Sequence, residues 1–276
     1  MNSKRIPTVL TIGGFDSIGG AGIQADLKTI AALGCHGMNV LTALPVQNSR
    51  GVRSIHRIPS STVKEQLLAV LEDIYPDVIK IGMIHTVSNI QVLASVLKNY
   101  TGKIILDPVL KSTSGHDLYQ GKFKKTLIEK LFPLASLITP NIPEVFELSG
   151  MTATNFISMK DAAIQLLKSG AAAVLVKGGH LNSRKLLSTL ITSDLQTTTY
   201  STTKIDTKNT RGTGCTLASA IACFTAMGVP LSQAIQESIN YVDNRIHASI
   251  NTNLGQGNGC LAPIKSGITS KTIKGH

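Results

Sequence analysis

The sequence predicts an α/β fold with a mostly parallel central sheet covered by helices on both faces. Three observations carry this expectation. Short apolar runs of strand length alternate with helical stretches through most of the chain. Those runs are nearly continuous in Val, Ile and Leu, as strands buried on both faces are. Polar or glycine-rich loops follow them, at the strand ends where open α/β sheets collect ligands. With 276 residues, the chain is expected to form a single domain. Its core spans about 8–250, and residues 251–276, rich in Gly, Ser and Lys, form a weakly ordered tail.

The first strand is Thr8–Ile12, followed by the glycine loop Gly13–Gly22 and a helix from Ile23 to Leu33 that stops at Gly34. Met38–Val46 reads as a strand, Gln47–Gly51 as a polar turn, and Val52–Ile58 as its hairpin partner. Thr62-x-x-Glu65 resembles a capping box, with Val63, Leu67, Val70, Leu71 and Ile74 on one helical face. Strand Val78–Ile81, helix Ser88–Leu97 and strand Lys103–Leu106 follow. Next come a lysine-bearing helix near Lys122–Leu131, strand Leu137–Thr139, and helices ending at Gly150 and Gly170. Ala172–Val176 is a buried strand, and the threonine-rich Leu186–Ile205 suggests two antiparallel edge strands. The last helices are Gly214–Met227 and Leu231–Ile250.

Composition excludes several classes. Hydrophobic residues at 42% and charged residues at 16% fit a folded, soluble protein. No apolar run is long enough to span a membrane, and the N-terminus lacks a signal-peptide pattern, so a cytoplasmic location is expected. Cys35, Cys215, Cys223 and Cys260 form no Cys-x-x-Cys pair and are expected as free thiols, Cys223 in the core. The net charge of +11 invites a nucleic-acid partner. Yet the basic residues are scattered and there is no Trp, with Tyr 5 and Phe 6, so stacking platforms are not expected. An electropositive cleft for small phosphorylated ligands explains the sign as well.

No Gly-x-Gly-x-x-Gly and no P-loop occur. The anion-binding candidate is instead Asn209-Thr210-Arg211-Gly212-Thr213-Gly214-Cys215-Thr216, which runs directly into a helix. Such a turn leaves N–H groups free at a positive helix end. A thiol there, Cys215, is expected to have its pKa lowered. Asp16, Gln47, Met83, Asp107, Asn141, Glu144 and Lys177 all fall just beyond expected strands. Asp107 could cap a turn before Pro108, and Glu144 could be a first-turn helix acid. Together, however, the carboxylates could hold Mg²⁺ and Lys177 could neutralise phosphate, which is phosphoryl transfer without a P-loop. Asp26 reads as a solvated helix face or as a cleft carboxylate binding a substrate amino group and ring nitrogen. Met83 reads as core or as the wall of a flat ligand site. Spacing does not decide either pair.

Seven blocks in order resemble one family: Gly19–Thr29, Gln47-Asn48, Lys80–Met83, Asp107–Val109, Thr139–Glu144, Val176–His180 and Gly212–Leu217. The resemblance, from Val9 to Ser249, is to the hydroxymethylpyrimidine/phosphomethylpyrimidine kinases of thiamine biosynthesis, within the ribokinase-like superfamily. It implies a three-layer α/β/α fold with a small β flap, a homodimer, and ATP with Mg²⁺. It implies two phosphorylations, of 4-amino-5-hydroxymethyl-2-methylpyrimidine and of its monophosphate. By the same resemblance Gly13, Asp26, Gln47 and Met83 hold the pyrimidine. Asp107 and Glu144 serve the metal, and Asn141, Lys177 and Thr213 the ATP phosphates. Gly212, Thr213, Gly214 and Cys215 form the anion hole, with Cys215 the catalytic candidate in place of the Asp of many sugar kinases. Phe15, Ile18, Pro45-Val46 and Arg211 depart from the family's usual residues, Arg211 standing where His is frequent. Pyridoxal kinases share the scaffold and are the nearest rival; a binding protein that has lost turnover is a second.

Overall fold

The computed structural model describes residues 5–111, 115, 118–119, 122–151, 156–178 and 185–262. The first unit is strand β1 (Thr8–Gly14), helix α1 (Gly22–Ala32), strand β2 (His36–Asn48) and strand β3 (Gly51–Arg57). Helix α2 (Ser60–Asp73), β4 (Val78–Ile81), α3 (Val87–Leu97), β5 (Lys103–Leu106), α4 (Phe123–Lys130) and β6 (Leu137–Ile138) continue the alternation. Helices α5 (Ile142–Ser149) and α6 (Phe156–Leu167) lead to β7 (Ala173–Val176), β8 (Lys185–Thr192) and β9 (Thr197–Thr203). The last two helices are α7 (Thr213–Ala226) and α8 (Leu231–Ser249).

The strands form one sheet in the order β3-β2-β1-β4-β5-β6-β7-β8-β9. The six from β2 to β7 in that order are parallel, and β3, β8 and β9 are antiparallel additions at the edges. Strand alternation splits the core into two layers, because successive side chains point to opposite faces. Leu10, Ile12, Ile79, Ile81, Ile104 and Leu106 pack under α2 to α6. Val9, Val78, Ile105, Leu137 and Leu175 pack under α7 and α8. The three-layer α/β/α expectation holds.

Helix α7 is buried from Thr216 through Cys223, so it lies inside the molecule rather than on it. Its run of Ala218, Ser219, Ala220 and Ala222 lets α1 and α8 approach closely. The chain order reverses between β1 and β4, and α7 contacts both strands. That switch point is where an open α/β sheet forms its binding crevice.

Three expectations need correction. The Thr62 capping box does not form: α2 begins at Ser60 with Pro59 as its N-cap and no side-chain cap, so Thr62 already lies inside the first turn. Gln47 and Asn48 lie within β2 rather than in the turn, which puts Gln47 on the flap formed by β2 and β3. The tail is not weakly ordered over 251–262. The Ser49 carbonyl accepts from Asn258 N at 3.1 Å, and Ser49 Oγ accepts from Gln256 N and Gly257 N. Arg245 donates to the Ala262 carbonyl at 2.7 Å. Hydrogen bonds to backbone groups, not composition, decide order here. Residues 263–276 lie outside the described residues, as do Gly179 and His180 of the Val176–His180 block.

Candidate active site

At the carboxyl ends of β1, β4 and β5 lies a cavity of about 730 Å³. The site residues implied by the resemblance line it: Gly13, Asp26, Gln47, Met83, Asp107, Asn141, Glu144, Lys177 and the turn Gly212–Cys215. The strand-end candidate Asp16 does not, and is bonded instead to Gly20 N, Ala21 N and Arg211.

Its floor is an ion pair. Lys80, from the apolar strand β4, donates from Nζ to Asp26 Oδ2 at 2.8 Å, and both side chains are 1% exposed. Thr11 Oγ1 donates to the same oxygen at 2.6 Å and Ser219 Oγ to Asp26 Oδ1 at 2.8 Å. Burial alone would lower the Lys80 pKa, but Asp26, then Cys215 and Asp107, outweigh it and raise it. Gly82 leaves room for this pair, since a Cβ there would stand 2.8 Å from Lys80 Nζ and push it from Asp26. Asp26 is thus neither a solvated helix acid nor a free cleft carboxylate; it ties β1, β4 and α7 together.

A second pair stands at the end of β5. Lys177 Nζ donates to Asp107 Oδ1 at 2.7 Å, and Thr139 Oγ1 donates to the same oxygen at 2.9 Å. Burial works against the Lys177 charge, and Asp107 and Glu144 raise its pKa nonetheless. Glu144 realises the helix-acid reading: Asn141 Oδ1 accepts from Glu144 N, and Glu144 Oε2 accepts from Asn141 N, a complete capping box on α5. Burial pushes the Glu144 carboxyl up to about 7, with Lys177 opposing and Asp107 adding to the rise.

The start of α7 meets this pair. Gly212 is left-handed at φ 81, and a Cβ there would lie 1.9 Å from the Gly20 carbonyl. A Cβ on Gly214 would stand 3.4 Å from Lys177 Nζ and 3.6 Å from Asp107 Oδ2. Thr213 N is taken by the Thr210 carbonyl at 3.3 Å, and the first intrahelical bond runs from Thr216 N to the Gly212 carbonyl. That leaves the N–H groups of Gly214 and Cys215 without intrahelical acceptors. The lowered Cys215 pKa is not found. Burial, its largest influence, pushes the thiol up to about 11, against which Lys80 acts only in part.

The residues fit a divalent cation. Asp107 and Glu144 are hard oxygen donors that interact electrostatically, and the described bonds to Asp107 both reach Oδ1. They are a pair and not a closed cage, since no group of three metal-ligating side chains occurs among the described residues. Among those residues, no helix is long and apolar enough to cross a membrane.

Residues 16–262 match the family model described as phosphomethylpyrimidine kinase. The chain belongs to that family. The thiamine biosynthesis bifunctional protein ThiED of Geobacter sulfurreducens is 44% identical over 93% of this chain, which spans about half (53%) of that longer relative. The crystal structure of phosphomethylpyrimidine kinase from Clostridium difficile is 39% identical with a TM-score of 0.77. That alignment covers 88% of this chain and all of the other. A Staphylococcus aureus pyridoxal kinase solved with AMP-PCP and pyridoxal is 29% identical over 94% of both chains, with a TM-score of 0.84. The higher fold score goes with the lower identity, so backbone shape does not separate the two vitamin substrates. In this family member, sequence reasoning missed Lys80 as a site group, although a lysine inside Val-Ile-Lys-Ile is the signal for one. It also missed what Arg211 does. Arg211 donates from Nε and Nη2 to Asp16 and from Nη2 to Gln47 Oε1 at 2.8 Å, pinning the glycine loop, the flap and the anion turn to one another.

Proposed function

We propose that this family member transfers the terminal phosphoryl group of ATP to the hydroxymethyl group of 4-amino-5-hydroxymethyl-2-methylpyrimidine, and then phosphorylates the monophosphate, in thiamine biosynthesis. The observation that carries this reading is the meeting of Gly214 with the Asp107–Lys177 pair at the mouth of one cavity. Free N–H groups at a helix N-terminus stabilise charge on a transferring phosphoryl group, and an adjacent ammonium neutralises what develops. Gly13, Asp26, Gln47 and Met83 border the part of the cavity that takes the pyrimidine. Asn141, Lys177 and Thr213 face the ATP phosphates. Asp107 and Glu144 would hold Mg²⁺, which when bound neutralises phosphate charge.

Cys215 belongs to the anion hole. Burial pushes its thiol up to about 11, which argues against a ready general base. Phosphoryl transfer through a loose transition state asks for little early proton removal, and positioning with charge neutralisation carries the rate. The reading includes a cytoplasmic homodimer with the β2–β3 flap at its interface.

ATP- and Mg²⁺-dependent ADP release, with product mass, tests it on the pyrimidine alcohol, its monophosphate and pyridoxal side by side. Sequential mono- and diphosphate formation is expected. Turnover of pyridoxal alone would move the chain to vitamin B6 salvage, and binding without turnover would make it a binding protein.

A further inference from the structure

Arg211 is held through both its backbone and its side chain. Its side chain is 4% exposed, and its backbone N donates to the Gly259 carbonyl at 3.1 Å beside a bridge to Cys260. Nε reaches Asp16 Oδ2 at 3.4 Å, and Nη2 reaches Asp16 Oδ1 at 3.2 Å and Gln47 Oε1 at 2.8 Å. Asp16 is itself fixed by the N–H groups of Gly20 and Ala21. One edge of the guanidinium is therefore committed. Nη1 makes no bond to any of the described residues, and Arg211 lines the cavity immediately before the anion turn.

A guanidinium presents its donors in a rigid fork, so the edge that Asp16 and Gln47 leave over can still donate to a ligand in the cavity. The neutral alcohol of the first step brings no anion to this edge. The acceptor of the second step is a phosphate monoester, and arginine N–H groups favour such oxygens through charge-assisted bonds. We propose that Arg211 is the specificity residue for the phosphorylated acceptor, its Nη1 edge holding the monoester oxygens during the second transfer. The inference rests on the functional reading above and adds a residue that separates its two steps. Asp16 is then a positioning residue, and Gln47 helps aim that edge beside its own place at the pyrimidine.

The test compares kcat/KM for the pyrimidine alcohol and its monophosphate in the wild-type protein and in Arg211→Lys. The lysine keeps a cation opposite Asp16 and lacks the second fork. The ratio of monophosphate to alcohol kcat/KM is expected to fall roughly 10- to 100-fold, the effect of a hydrogen bond to a charged group. Equal losses on both acceptors would overturn the inference and mark Arg211 as structural only. A second measurement does not depend on the variant folding. At saturating ATP, inorganic phosphate is expected to inhibit the wild-type protein competitively against the monophosphate; inhibition insensitive to monophosphate concentration would overturn the inference. Wild-type turnover of neither pyrimidine acceptor would overturn the functional reading, and this inference with it.

Discussion

The Asp26–Lys80 and Asp107–Lys177 pairs line the same cavity, join the same residue types at nearly the same distance, and differ in closure. Asp26 receives Thr11, Lys80 and Ser219 on its two oxygens, and both members are 1% exposed. Asp107 gathers Lys177 and Thr139 on Oδ1, its Oδ2 faces Gly214, and Lys177 is 16% exposed. The more enclosed pair mainly holds its elements together, whereas the less enclosed one has more of its polar surface turned to a ligand. The largest effect that would break this contrast is expected from Lys80→Met. It leaves Asp26 buried and unpaired, at a cost of about 3–5 kcal/mol in unfolding free energy, read from the urea midpoint. The double variant Asp26→Leu with Lys80→Met should recover much of that loss, because a buried pair replaced by apolar groups is often neutral. A loss below about 1 kcal/mol in the single variant would mean that the floor pair is not a structural charge.

The open pair should answer in rate. Lys177→Met is expected to lower kcat by roughly 10²- to 10³-fold, the usual cost of removing one preorganised electrostatic stabiliser. Its effect on the urea midpoint should be smaller than that of Lys80→Met, since the Lys177 side chain is 16% exposed against 1% for Lys80. A variant that unfolds easily yet keeps kcat would exchange the roles of the two pairs.

What the sequence made legible follows the same division. The parallel sheet, the flap and the strand-end residues were readable because strand period and glycine turns are local signals. Asp107, Lys177 and Gly212–Cys215 were readable because they sit at strand and helix ends. The Asp26–Lys80 contact was not, since it joins residues 54 apart through a fold that spacing does not encode. Nor was the clasp of Arg211 on Asp16, 195 residues away. Glu144 shows a further limit: one residue completes a helix cap and lines the cavity at once, and the sequence pattern for both is the same. The Cys215 pKa failed for a physical reason, because the helix terminus was visible in the sequence and the burial opposing it was not.

Cys215 lies between the two pairs electrostatically, lowered by Lys80 and raised by Asp26 and Asp107, and it offers the finest test of their balance. With its thiol pushed up to about 11, the thiolate fraction at pH 7 is on the order of one in ten thousand. The thiolate is the alkylated form, so the raised pKa slows reaction, and the sign of the pH dependence follows. The rate of iodoacetamide labelling at Cys215, read by peptide mass mapping, should rise about tenfold per pH unit from 7 to 10 without levelling. A low-pKa thiol at a helix N-terminus would instead level off near or below pH 7.5. Levelling there would show that the positive end of α7 outweighs burial, and Cys215 would regain its standing as a base. An uninterrupted rise leaves the thiol as a protonated member of the anion hole, and the rate of transfer with Lys177 and the free N–H groups of the turn.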